Sequence, residues 1–143
     1  MAEVRQSVLV PYSAARMFEL VDAVEQYPQF LPWCGGSELI SRRPDELRAV
    51  IRVNFRGIKQ QFSTRNSRKA PREMQIHLID GPFKALDGCW RFTDLGNAGC
   101  KVEFELCWEF SSRVLEMLAG PVFSHIANTM VDAFVSRAQK LYG

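Results

Sequence analysis

Tyr27-Pro28-Gln29-Phe30-Leu31-Pro32-Trp33-Cys34-Gly35-Gly36 sets four large apolar side chains in a stretch that resists regular structure. Each proline removes a backbone donor and drives the residue before it, Tyr27 or Leu31, away from the helical region. The segment is expected to turn while presenting Tyr27, Phe30, Leu31 and Trp33. Those side chains must be buried, either against the core or around the mouth of an apolar cavity.

Outward from this loop the periodicities are clear. Upstream, Glu3 to Val10 reads as a strand, Pro11-Tyr12-Ser13 breaks it, and Ser13 can cap a short helix over Ala14 to Val21. A second helical turn is expected around Asp22 to Gln26. Downstream comes a run of about six strands bounded by Gly, Pro, Asn and Asp clusters. Leu47, Ala49, Ile51, Val53 and Phe55 alternate with polar positions, and Arg56-Gly57 is hairpin chemistry leading to a strand over Ile58 to Asn66. A basic turn is expected over Ser67 to Arg72. Met74, Ile76 and Leu78 alternate up to Asp80-Gly81-Pro82, and Leu86, Gly88, Trp90 and Phe92 form the next inward row. The clearest strand pairs Val102, Phe104, Leu106, Trp108 and Phe110 with outward Lys101, Glu103, Glu105, Cys107 and Glu109.

At Ser111 the period changes to about 3.6. Val114, Leu115, Leu118, Val122, Ile126, Met130, Phe134, Ala138 and Leu141 follow one stripe of a long helix, which Gly120-Pro121 is expected to kink or divide. The order implies an α+β fold in one domain over residues 1–143: a curved antiparallel sheet wrapped around a long C-terminal helix, with two short helices after the first strand. Wrapping a sheet around one helix leaves volume between them.

The 143 residues suffice for one core without covalent staples. Cys34, Cys89, Cys100 and Cys107 lack C-x-x-C spacing, and the N-terminus lacks an apolar signal run, so a reduced cytoplasmic setting with buried thiols is expected. No window reaches the roughly 18 to 20 apolar residues of a membrane span. The net charge of +2 conceals asymmetry: between residues 42 and 72 ten cations meet only Asp45 and Glu46, an excess of +8 that leaves −6 elsewhere. Such asymmetry points to a polyanionic partner.

Residues Val21-Asp22-Ala23-Val24-Glu25-Gln26-Tyr27-Pro28-Gln29-Phe30-Leu31-Pro32-Trp33-Cys34 resemble the "V-D-x-V-E-x-Y-P-x-F-L-P-W-C" signature of the coenzyme Q-binding and ribosome association toxin branch of the START-like, or polyketide cyclase (helix-grip), superfamily. Asp80-Gly81-Pro82-Phe83, the Leu86, Gly88, Trp90, Phe92 row and Val102, Phe104 and Phe110 support the resemblance, which covers nearly the whole chain. It implies the helix-grip fold and two different occupations. One is binding of ubiquinone or a related isoprenoid lipid in support of respiration. The other is a toxin that binds the large ribosomal subunit and blocks subunit joining. Fold cannot choose between them.

Helix-grip relatives also include cyclases and hydrolases, but the residues here offer little catalytic chemistry. His77 lies on the polar face of a strand, and adjacent Ser124 and His125 point about 100° apart on a helix, so they make no nucleophile and base pair. Metal-ligand spacing and a phosphate-binding Gly loop are both lacking, and the inward rows carry almost no polar group to hold an enolate or move a proton. The reading is a non-enzymatic binder of a hydrophobic ligand, ubiquinone or a related isoprenoid lipid, that requires no cofactor; a ribosome association toxin is the alternative, and a cyclase-like enzyme comes third. Its cavity is expected to be lined by Phe55, Phe62, Leu78, Phe83, Trp90, Phe104 and Trp108 from the sheet. Phe123, Ile126, Ala127 and Met130 would face them from the helix, with Trp33 at the loop. Each could instead simply fill the core.

Arg48 and Arg52 share the outward parity of one strand and continue toward Arg56; Lys59 and Arg65 take the outward parity of the next, and Arg68, Lys69 and Arg72 fall in the expected turn. These eight cations suit a phosphate surface: ribosomal RNA of the large subunit, or an anionic membrane at whose inner face the protein would act peripherally.

Overall fold

The computed structural model describes residues 1–143. Seven strands and two helices run in the order β1 (Ala2–Val10), α1 (Ala14–Asp22), β2 (Cys34–Arg42), β3 (Glu46–Phe55), β4 (Ile58–Lys69), β5 (Glu73–Asp80), β6 (Phe83–Asp94), β7 (Cys100–Phe110) and α2 (Arg113–Tyr142), with a 3-10 helix over Val24–Gln29 after α1. The strands form one antiparallel sheet in the order β1-β7-β6-β5-β4-β3-β2. Strands β2 to β7 are a meander, and β1 closes it by pairing with β7 from Ala2 opposite Trp108 to Val10 opposite Cys100.

Local chemistry explains the boundaries. The Ser13 hydroxyl accepts from the Arg16 amide at 3.2 Å and Ser112 accepts from the Leu115 amide at 3.2 Å, capping the two helices. Arg56 (φ 51°) and Gly57 (φ 82°) supply the two positive φ angles of a tight two-residue hairpin. In β7 the alternation is strict: Cys100, Val102, Phe104, Leu106, Trp108 and Phe110 are buried and every residue between them is half-exposed. The inward rows and the buried face of α2 form one continuous apolar core.

Four expectations need correction. The proline segment is more regular than its composition suggests, because Pro28 sits inside the 3-10 helix and Cys34 to Gly36 already belong to β2, where a register irregularity absorbs the glycines. Ser67, Arg68 and Lys69 are strand, not turn, since each pairs with β5 through Gln75, Met74 and Glu73; the turn is only Ala70 to Arg72. Helix α2 is continuous through Pro121, which is exposed, so the Met117 carbonyl it leaves without an amide lies where water can reach. Finally, Val114, Leu118 and Leu141 of the expected stripe are 65%, 62% and 50% exposed, because the sheet covers α2 only from about Ala119 to Ala138.

Candidate functional site

The space between sheet and helix is a cavity of about 80 Å³ bounded by sixteen residues, fourteen of them apolar. Of the expected lining, Trp33, Phe62, Trp90, Phe104, Phe123, Ile126 and Met130 meet there. Five do not. Phe55, at the end of β3, stacks on His125 with ring centres 5.5 Å apart. Phe83 packs against Phe110 and Phe123 at 5.0 and 4.9 Å and borders a separate void of about 10 Å³. Trp108 meets Phe123 edge-on at 5.1 Å, which interposes that ring. Leu78 lies beyond the last β5–β6 pair and is only half-buried. Ala127 is fully buried and does not border the space.

Sequence reasoning missed several walls. Ile51, Ile76, Leu86 and Leu106 lie on inward parities already recognised, and Phe134 lies on the helix stripe, so a complete walk along both periods reaches them. Thr64 and Asn66 are the instructive pair. They sit two and four residues beyond Phe62 on the same face of β4 and are 4% and 6% exposed. Asn66 Nδ2 donates to the Met74 sulfur at 3.6 Å, while its Oδ1 is buried with no partner. An unpaired buried acceptor is costly and uncommon.

The cavity wall holds no carboxylate, imidazole or thiol. Its one titratable group is Tyr27, whose hydroxyl donates to the Val21 carbonyl; burial, reinforced by the Asp22 carboxylate, pushes that phenol above its ordinary range. The arrangement can orient a polar atom but offers no base to move a proton at neutral pH. Its size is also telling, since pockets for drug-sized ligands measure about 300 to 1,000 Å³. Trp90 packs on Phe104 at 4.5 Å and on Phe134 at 5.2 Å, and Tyr27 and Phe30 press edge-on against Phe134 at 5.5 and 5.2 Å. The proline segment thus both fills the core and, through Tyr27 and Trp33, walls the cavity.

The outward face of the sheet is polar and cationic, though less so than a count along the chain implies. Arg48 stands directly opposite Arg65 across β3 and β4, and both reach Glu46, at 3.4 and 3.6 Å. Arg52 reaches Glu38 of β2 at 3.6 Å. These three guanidinium side chains remain 42 to 50% exposed. Arg56 lies over the Phe55 ring, and neither it nor Lys59 makes an ion pair. Lys69 reaches Glu73 at 3.8 Å, and Arg72 is exposed in the following turn.

Arg68 does not belong to this face. Its parity is inward, and it grips Asp22 through two bonds of 2.6 and 2.9 Å while donating to the Arg43 and Pro44 carbonyls. Arg42 joins the same carboxylate at 3.5 Å and Glu25 at 3.1 Å, so the cluster ties α1 and the 3-10 helix to β2 and β4. Its role is structural. The thiols divide similarly: Cys34 and Cys100 are buried as expected, but Cys89 and Cys107 are half-exposed on the outward face. Burial pushes the Cys89 and Cys100 thiols up to about 11, which keeps them in the thiol form near neutral pH.

Residues 10–135 match the model of a family described as polyketide cyclase / dehydrase and lipid transport. The chain belongs to that family. Within it, the chain is 42% identical to the ribosome association toxin RatA of Escherichia coli K12 over 142 residues, which is 99% of this chain and 90% of the relative. It is 29% identical over 146 residues to the mitochondrial coenzyme Q-binding protein COQ10 homolog B of Xenopus laevis, covering 99% of this chain but 59% of that protein. The crystal structure of TTHA0849 from Thermus thermophilus superposes with a TM-score of 0.83 at 17% identity, covering 99% of this chain and 100% of that one, a likeness of fold. The family's description spans enzymes and lipid carriers, so membership alone assigns no reaction. No helix of the family fold seen here is long and apolar enough to cross a membrane.

Proposed function

We propose that this protein is a non-enzymatic, cytoplasmic ribosome-binding factor that docks on the large subunit through the outward face of β3 and β4 and hinders subunit joining. The observation that carries the reading is the stripe Arg48, Arg52, Arg56, Lys59 and Arg65, which presents five cations along the paired strands β3 and β4 and the turn between them, with only Glu38 and Glu46 close by. Exposed ion pairs of this kind contribute little to stability, so their guanidinium groups can exchange a carboxylate for a phosphate at small cost. The 42% identity to a ribosome association toxin over nearly the full chain supports the same reading.

The test is sedimentation of purified protein with separated ribosomal subunits through sucrose gradients. Wild type should travel with the large subunit and lose roughly several hundredfold in affinity between 50 and 200 mM salt, as about five phosphate contacts require. The Arg48→Ala/Arg52→Ala/Arg65→Ala protein should stay at the top. Equal binding by the two proteins would refute this surface.

A second reading rests on the Asn66 oxygen, an unpaired acceptor at an apolar cavity. It makes the cavity a site for a hydrophobic molecule such as ubiquinone, which would have to widen a space of about 80 Å³ severalfold. Organic extracts of the purified protein, analysed by mass spectrometry, should then contain quinone in wild type and less in Asn66→Leu. Extracts free of lipid from both would end that reading.

A further inference from the structure

Helix α2 changes character along one side. At about 100° per residue, Val114, Met117, Leu118 and Pro121 fall in one arc of about 100°, and Ser124, Asn128, Asp132 and Ser136 continue that same arc farther on. The later part is polar, as a solvent-facing stripe should be. The earlier part is not: Val114, Met117 and Leu118 are 65%, 78% and 62% exposed. The opposite side of these first turns is apolar too, since Leu115 and Ala119 pack toward the core. A helical segment with two apolar faces, one of them uncovered and separated from the other by Arg113 and Glu116, calls for a second apolar environment.

Three exposed side chains supply far less than the roughly 800 Å² per partner that a stable protein interface buries, which disfavours a second copy or a globular protein. A lipid surface needs no such complementary area. It also attracts cations, and this end of the molecule carries three without an ion pair: Arg113 at the edge of the ridge, and Arg56 and Lys59 on the β3–β4 hairpin. Ile58 of that hairpin shares an apolar void with Ala119 and Val122 of α2, and Phe55 at its base stacks on His125, so the hairpin adjoins the helix just past the ridge. Of the nearby acids, Glu116 points to the other side of the helix by its position, Glu109 is held by Lys84 at 3.7 Å, and Asp80 ends β5 opposite Ser63 of β4. Apolar residues flanked by cations on a helix end are the pattern of an interfacial contact.

We propose that the first two turns of α2 form a membrane-docking ridge, in which Val114, Met117 and Leu118 enter the interfacial layer of an anionic bilayer beside Arg113, Arg56 and Lys59. The ridge shares Arg56 and Lys59 with the ribosome stripe, but Val114, Met117, Leu118 and Arg113 lie outside that stripe and Arg48, Arg52 and Arg65 lie outside the ridge, so variants at these two sets test the two readings separately.

Flotation with vesicles of phosphatidylglycerol and phosphatidylcholine, and with phosphatidylcholine alone, tests the proposal. Wild type should float with the anionic vesicles, and Val114→Ser/Met117→Ser/Leu118→Ser should lose at least tenfold in partitioning with an unchanged melting temperature. Arg48→Ala/Arg52→Ala/Arg65→Ala should float as wild type does. Failure of wild type to float, equal flotation by the serine variant, or flotation lost only with the arginine variant would each overturn it. So would sedimentation equilibrium showing a wild-type dimer that the serine variant abolishes, because the ridge would then belong to a second copy.

Discussion

The two ends of α2 are built from equally apolar residues and meet opposite fates. From Val122 to Ala138 its inward side chains disappear beneath the sheet: Ile126, Ala127, Phe134 and Ala138 are at most 2% exposed. From Arg113 to Leu118 the same kinds of residue stand in solvent. The difference is supplied by the partner and not by the helix, since the inward rows of β3, β4, β6 and β7 reach one end and stop short of the other. Apolar pattern states that a surface wants cover; only the fold decides whether cover arrives.

The comparison breaks most easily at Phe134. Replacing it with Ala removes a ring packed against Trp90, Tyr27 and Phe30, and should cost about 3 to 5 kcal/mol in denaturant unfolding. A loss below about 1 kcal/mol would show the covered half to be loosely packed. Covered charges come next. Asp22→Asn leaves Arg68, whose side chain is 13% exposed, without its counterion, and should cost about 3 kcal/mol by the same measurement. Arg48→Ala, also an ion-paired arginine but 50% exposed, should cost less than about 0.5 kcal/mol. Asn66→Leu sharpens the contrast in the other direction: it removes an unpaired buried oxygen and fills part of the cavity, so stability should rise by about 1 kcal/mol. A fall of that size would mean the oxygen has a partner in solution. The smallest effect belongs to the open end, where Leu118→Ser should change stability by less than about 0.5 kcal/mol.

Much of this was legible in the residues. The strict alternation from Val102 to Phe110 and the 3.6-residue stripe from Val122 define the sheet and helix that face each other, and turn chemistry at Arg56-Gly57 sets the β3–β4 hairpin. The cavity was half legible. Trp33, Phe62, Trp90, Phe104, Phe123, Ile126 and Met130 line it, but Phe55, Leu78 and Trp108 share the inward parity, Phe83 turns inward across a β-bulge, Ala127 faces inward from the helix, and all five pack elsewhere. Parity tells which way a side chain points, whereas the twist of the sheet determines what it meets. Arg68 is the same lesson for charge: beside Lys69 in the chain it looks like part of a basic run, yet its parity and the approach of α1 place it against Asp22.

The sequence by itself determined the passage from strand to short helices, meander and long helix, the inward and outward faces along most of β3 to β7, and the surplus of cations between residues 42 and 72, because periodicity and composition act locally along the chain. Only the tertiary structure decided that the interior closes to about 80 Å³, that Glu38, Glu46 and Asp22 hold five of those cations, and that the start of α2 stays uncovered. Those outcomes depend on distances between residues far apart in the chain, which a periodicity does not encode.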